Sequence, residues 1–149
     1  MAKKKAPPPV YGTSPAEVRA FLTSWAAGGY VPDRFGDVVC GCGERALHIL
    51  LDDDAGVVIR ACPVCEEEHP LGDSEEFIDD DTEPGECTCP CGTSIFNAVI
   101  GLALYKDDAD PPAIRWVSVG LRCTSCSQIA CYGDWKNEHP DVDDYLHRL

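Results

Sequence analysis

The chain has 149 residues, 44% of them apolar, enough for one ordinary domain or two very small ones. Twelve Lys and Arg against 26 Asp and Glu give a formal charge of −14. That balance argues against nucleic acid, whose binding is built on Lys and Arg neutralising phosphates. No run of 18 apolar residues occurs, so no membrane-spanning helix is expected; the longest run, Ile95–Tyr105, is broken by Asn97 and Gly101.

The opening "MAKKKAPPPVYGTSP" lacks the apolar stretch of a secretory signal, so a cytoplasmic location is expected, with residues 1–13 as a flexible Lys- and Pro-rich tail. A helix is predicted over 14–29. Ser14 can cap it, Pro15 takes the first helical position, Glu17 completes a capping box, and Gly28 and Gly29 end it. Val18, Phe21, Leu22 and Trp25 form its apolar stripe, expected to pack on the cysteine-rich segment that follows.

That segment, residues 37–69, holds "CGCG" at Cys40–Gly43 and "CPVC" at Cys62–Cys65. Between them "ALHILLD" and "GVVIRAC" are short and rich in Val, Ile and Leu, and Asp and Gly separate them, which predicts a β-hairpin. Residues 70–86 read as an acidic linker; the span 66–86 carries eleven acids and no Lys or Arg. The pattern then recurs in residues 87–149. "CPCG" at Cys89–Gly92 is followed by two longer apolar runs and "CTSC" at Cys123–Cys126, and a short helix capped by Asp141 ends the chain. C-x-C-G, hairpin, Arg and C-x-x-C in that order, twice, define an internal repeat. The expected fold is small α+β, mainly β, with two tandem hairpin units between an N-terminal and a C-terminal helix.

Close thiol pairs serve as disulfides, as redox dithiols or as metal ligands. A reducing compartment disfavours disulfides, and hairpin closure brings both pairs of each repeat to one end. Two metal sites are therefore expected, one from Cys40, Cys42, Cys62 and Cys65 and one from Cys89, Cys91, Cys123 and Cys126, each offering the four thiolates a tetrahedral ion takes. Zn²⁺ is the expected ion, one per repeat, with iron the runner-up because S₄ sites suit either. Cys87 leaves the second register open, since it could replace Cys89; Cys131 reads as a buried apolar side chain. The histidines show no ligand spacing, although His69 stands four residues past Cys65.

Residues 38–132 resemble zinc-ribbon proteins through "CGCG…CPVC" and "CPCG…CTSC", and "CPVC" is similar to a rubredoxin knuckle. The resemblance implies an interaction module. No Ser-His-Asp signature, phosphate loop or H-E-x-x-H motif occurs, so no catalytic residue is expected. The acidity points to a basic protein partner, with Asp52, Asp53, Asp54, Glu75, Glu76, Asp79, Asp80 and Asp81 as contacts. The layout, with its "YGDW" at Tyr132–Trp135, resembles small bacterial toxin-immunity proteins, which implies masking of a basic toxin. Two alternatives stand beside that reading. The C-x-C and C-x-x-C of the first repeat resemble the site of a redox-regulated chaperone, implying a redox-responsive zinc switch. A transcription-associated zinc ribbon is the other.

Overall fold

The computed structural model describes residues 8–149. Residues 1–7 of the expected tail lie outside the described residues, and Val10–Tyr11 form a short strand, β1. The helix α1 (Pro15–Trp25) starts at Pro15, and its capping box is half made. The Glu17 carboxylate accepts from the Thr13 N–H at 3.2 Å and from the Thr13 hydroxyl at 3.1 Å. The Ser14 hydroxyl also donates to Glu17, at 3.4 Å, and no helix N–H reaches the Ser14 side chain. Seven further strands and a 3-10 turn at Ser74–Phe77 follow: β2 (Arg34–Asp37), β3 (His48–Asp52), β4 (Val57–Ala61), β5 (Glu68–Pro70), β6 (Gly85–Glu86), β7 (Phe96–Leu104) and β8 (Ile114–Cys123). Strand β9 (Gln128–Lys136) and helix α2 (Val142–His147) complete the small, mainly β, α+β fold. Both sheets are antiparallel, one in the order β1-β9-β8-β7-β2 and the other β5-β4-β3-β6.

Each repeat is a three-stranded meander, β3-β4-β5 or β7-β8-β9, with its C-x-x-C between the second and third strands. The strand that leads into each C-x-C, however, joins the sheet of the other repeat. β2 precedes the first C-x-C and pairs with β7; β6 precedes the second and pairs with β3. The exchange is matched bond for bond. Val38 N–H donates to the Ala98 carbonyl at 3.0 Å, and Cys87 N–H donates to the Ile49 carbonyl at 2.8 Å. Val38 and Cys87 each stand two residues before their C-x-C, and Ile49 and Ala98 each seven residues after it. Leu47 and Phe96, each five residues past a C-x-C, bond to one another. Their amides donate to each other's carbonyls at 2.9 and 2.8 Å, and both side chains are fully buried. Two equivalent residues that pair with each other mark a local two-fold axis, so the two repeats interlock about that bridge.

The main core lies between the sheets and draws on both repeats, with Ile49 and Val58 from one and Phe96, Ile100, Val117 and Leu121 from the other. Asp141 caps α2 by accepting the N–H groups of Asp143 and Asp144 at 3.0 and 3.1 Å, and the helix seats Tyr145 in that core. On the far face of the larger sheet a second core gathers Val18 and Leu22 with Val99 and Ile129. α1 therefore packs on β7, β8 and β9, in the second repeat and not the first as expected. Gly120 makes the approach possible, since a Cβ there would come within 2.8 Å of Val18. Covered on both faces, β7 and β8 are apolar almost throughout.

A shared core predicts a single unfolding unit. Leu47→Ala, at the axis, is expected to cost about 2–5 kcal/mol and to leave one cooperative transition in chemical denaturation. Two resolved transitions would show that the repeats fold independently.

Candidate metal centres

Each C-x-C-G folds into the same tight turn. The first cysteine donates its N–H to the carbonyl four residues on, Cys40 to Glu44 at 2.9 Å and Cys89 to Thr93 at 2.8 Å. The glycine donates back to that cysteine's carbonyl at 2.8 Å in both copies. Gly43 and Gly92 take φ of +94° and +95°, a region costly for any residue with a Cβ. The C-x-x-C turns match as well: Glu66 and Ser127, each directly after its fourth cysteine, adopt φ of 65° and 68° and donate to the carbonyls of Cys62 and Cys123 at 3.0 Å. The C-x-C spacing is thus met by a glycine-dependent turn that points two thiols the same way.

The eight expected ligands fall into two clusters, Cys40, Cys42, Cys62 and Cys65, and Cys89, Cys91, Cys123 and Cys126; in each, all four sulfurs lie within 4.8 Å of one another. Across the first the Sγ atoms of Cys40 and Cys65 are 3.4 Å apart and those of Cys42 and Cys62 3.7 Å. Across the second, Cys89 to Cys126 measures 3.5 Å and Cys91 to Cys123 3.6 Å. Four sulfurs at about 2.3 Å from a tetrahedral ion stand about 3.8 Å apart, and both donor sets fit that figure. All ten cysteines are free. The clusters are therefore compatible with tandem zinc-ribbon-like sites able to hold two ions.

Local dipoles favour thiolate at one cysteine of each cluster, while neighbouring thiols and burial push Cys42, Cys65 and Cys89 up. The Cys65 N–H points at the Cys62 sulfur, 3.5 Å away, and with its neighbours draws that thiol down to about 7. The Thr93 hydroxyl, 3.4 Å from the Cys91 sulfur, and the Thr93 N–H draw Cys91 down to about 6. In each cluster the first and third cysteines are buried with the core, while Cys42, Cys65 and Cys91 are exposed.

The structure separates the two remaining cysteines from the ligand sets. Cys87 occupies the place of Val38 in the exchanged strand, buried in the main core, where burial pushes its thiol up to about 12. Cys131 packs with the α1 core on the other face of the sheet, and burial pushes it up to about 11. Lying in different cores, they form no disulfide. His69 is engaged elsewhere, its Nε2 2.9 Å from the Arg148 carbonyl oxygen.

The acidic candidates divide. The β3–β4 turn brings Asp52, Asp53 and Asp54 together, and the loop after the 3-10 turn adds Asp79, Asp81 and Glu83 to line one groove of about 590 Å³. Asp52 anchors the two walls by accepting the Ala55 N–H on one oxygen and the Glu83 N–H on the other, at 3.1 and 3.0 Å. Asp80 is exposed on the same loop. Glu75 and Glu76 stand on the 3-10 turn, and Glu76 borders a separate depression with Asp73 and His139. The convergence of 52–54 with 79–83 depends on β6 pairing with β3, which no local pattern announces.

No protein-family model matches the chain, and no curated protein or solved structure matches it. The donor sets make their own prediction. Cys87→Val is expected to keep both metal equivalents and to change stability by less than about 1.5 kcal/mol, as a near-isosteric core exchange. Cys62→Ser is expected to lose the first ion and, through the exchanged strands, to weaken retention of the second. Native mass spectrometry with elemental analysis reads both; metal loss in Cys87→Val would move the second site's register.

Proposed function

We propose that the chain is a non-catalytic zinc-binding protein whose acidic groove receives a basic segment of a protein partner, in its most concrete form an immunity protein that masks a basic toxin. One observation carries the reading: two acidic segments distant in sequence, Asp52–Asp54 and Asp79–Glu83, converge on one groove. Zinc fits the role because it is redox-inert and four thiolates leave no open coordination position, so the ions hold the scaffold and perform no chemistry. Each filled S₄ site also adds negative charge to an acidic surface, which raises the rate of encounter with a cationic partner and makes it sensitive to salt.

The test is to convert Asp52, Asp53, Asp54, Asp79 and Asp81 to Asn together, and to co-express the variant with a basic toxin that the unaltered chain neutralises. Growth rescue is expected to be lost, with affinity down at least about 100-fold, two or more desolvated charge contacts being removed. Rescue that survives the change would take the groove out of the account.

A second reading, a redox-responsive zinc switch, is favoured by the exposure of Cys42 and Cys65 beside buried partners. Under it, hydrogen peroxide oxidises Cys40 and Cys65 to a disulfide and the ion leaves the first cluster before the second. Peroxide titration with a metal-sensitive dye checks this; metal retained with all thiols reduced would dismiss it.

A further inference from the structure

Seven of the nine Lys and Arg side chains among the described residues face a carboxylate. An eighth, Arg122, is enclosed by neutral acceptors, the carbonyl of Gly12, the amide oxygen of Asn97 and the hydroxyl of Ser127. Arg115 remains. It is exposed, and among the described residues no carboxylate pairs with it. Its guanidinium lies instead over two aromatic rings, 4.5 Å from the centre of Tyr30 and 5.5 Å from that of Tyr105, with Nη2 3.4 Å from the Tyr30 hydroxyl.

The backbone sets this up. Ala103 pairs with Trp116 and Leu104 with Ile114, so Arg115 is the extra residue of a β-bulge. Bulges re-aim side chains, and this one sets Arg115 beside Trp116. Trp116 is itself fixed: its Nε1–H donates to Asp134 at 2.8 Å, and its ring stacks on Tyr30 at 4.8 Å. Trp25, on the apolar stripe of α1 but 47% exposed, extends the aromatic surface. Two adjoining depressions share Tyr30 and Trp116, one of about 240 Å³ reaching Trp25 and one of about 150 Å³ reaching Arg115 and Lys136. Trp, Tyr and Arg are the side chains in which interface binding energy concentrates.

We infer that this aromatic–arginine surface, on the α1 side of the larger sheet, docks a segment of a protein partner that carries a carboxylate beside an aromatic or proline side chain. Charge complementarity names the occupant. The exposed cation without a local counter-ion meets the carboxylate, and the flanking rings meet the apolar neighbour. A polyphosphate is disfavoured against a single carboxylate, because one unpaired guanidinium can meet one anionic charge, and further charges would face Asp33, Asp107, Asp108 and Asp134, which stand in or beside the strands and loops that frame the patch. The surface is separate from the acidic groove and does not rest on the reading of that groove.

The test is selection from a random twelve-residue peptide library displayed on phage, against the metal-loaded full chain. Enriched peptides are expected to pair Asp or Glu with Trp, Phe or Pro within two or three positions. A synthetic copy of the best should lose at least about 10-fold in affinity, or 1.4 kcal/mol, to Arg115→Gln and to Trp25→Ala. It should lose nothing to Arg34→Gln, an exposed arginine elsewhere. Unchanged metal content and near-ultraviolet circular dichroism keep misfolding out of the comparison. No enriched peptide, enriched peptides that are basic, or affinities indifferent to Arg115 and Trp25 would overturn the inference. Arg115-dependent binding of a twelve-nucleotide thymidine oligomer would replace it with a nucleic-acid site, and Arg115-dependent dimerisation in sedimentation would replace it with a contact between copies.

Discussion

The reciprocal pairing of Leu47 with Phe96 is the constraint on which the rest of the molecule depends. It places equivalent residues of the two repeats on one axis, and the strand exchange follows from that axis. Once Leu47 and Phe96 are paired, the chain just before each C-x-C runs alongside the other repeat, and β2 and β6 have partners only there. A five-residue hairpin such as β3–β4 is too small to hold a core alone. Interlocked with its twin it shares one core, with Val58 and Ile49 packed in the same cluster as Phe96, Val119 and Tyr145.

The two Cys₄ clusters are continuous with this shared core. Cys40, Cys62, Cys89 and Cys123 belong to the candidate ligand sets and to the core at once, each 3% exposed or less. An ion that draws Cys42 to Cys62 therefore fixes the end of β4 and the turn that follows β2 together. Structural zinc contributes on the order of 10–16 kcal/mol of apparent binding energy in small finger peptides, more than the net stability of most domains. Because β2 leads into the first cluster but lies in the second repeat's sheet, such energy would be shared across the axis.

Much of this could be read from residue order, and the parts that could not share a cause. The two Cys₄ groupings were legible because C-x-C-G and C-x-x-C each form a turn on local rules, with Gly43 and Gly92 supplying the positive φ. The two hairpins were legible from their apolar runs and acidic turns. The exchange was not, because Arg34–Asp37 and Gly85–Glu86 are short, polar segments with no strand pattern. With the exchange hidden, Cys87 stayed ambiguous. In the structure it is the counterpart of Val38, a core position that happens to hold sulfur. The Arg before each C-x-x-C looked equivalent in the two repeats and is not. Arg60 stands two residues before Cys62 and Arg122 one residue before Cys123, and a one-residue offset turns a strand side chain to the other face. Arg60 is accordingly buried and reaches Glu67 at 3.3 Å, while Arg122 ties β8 to the chain ahead of α1. The N-terminal helix followed the same logic: its stripe was clear, but its choice of repeat depended on the close approach that Gly120 allows, which periodicity does not report.

Charge gives the interlocked architecture a further reason. A formal −14 destabilises any compact state by self-repulsion, and two filled S₄ centres would add four more negative charges. The molecule meets this by segregation. Among the described residues its cations are almost all spent in local pairs, such as Arg19 with Asp37 and Arg148 with Asp144, and none of them neutralises the groove walls at 52–54 and 79–83. Like charges held that close stay together only if the backbone beneath them is fixed. The β3–β4 turn and the loop ahead of β6 are fixed from two directions, by the Asp52 bridge to the Glu83 N–H and by the pairing of β6 with β3. The same exchanged strand that leads into the second Cys₄ cluster thus holds the acidic walls in place, and a loosened second cluster would release them, since β6 runs within three residues of Cys89.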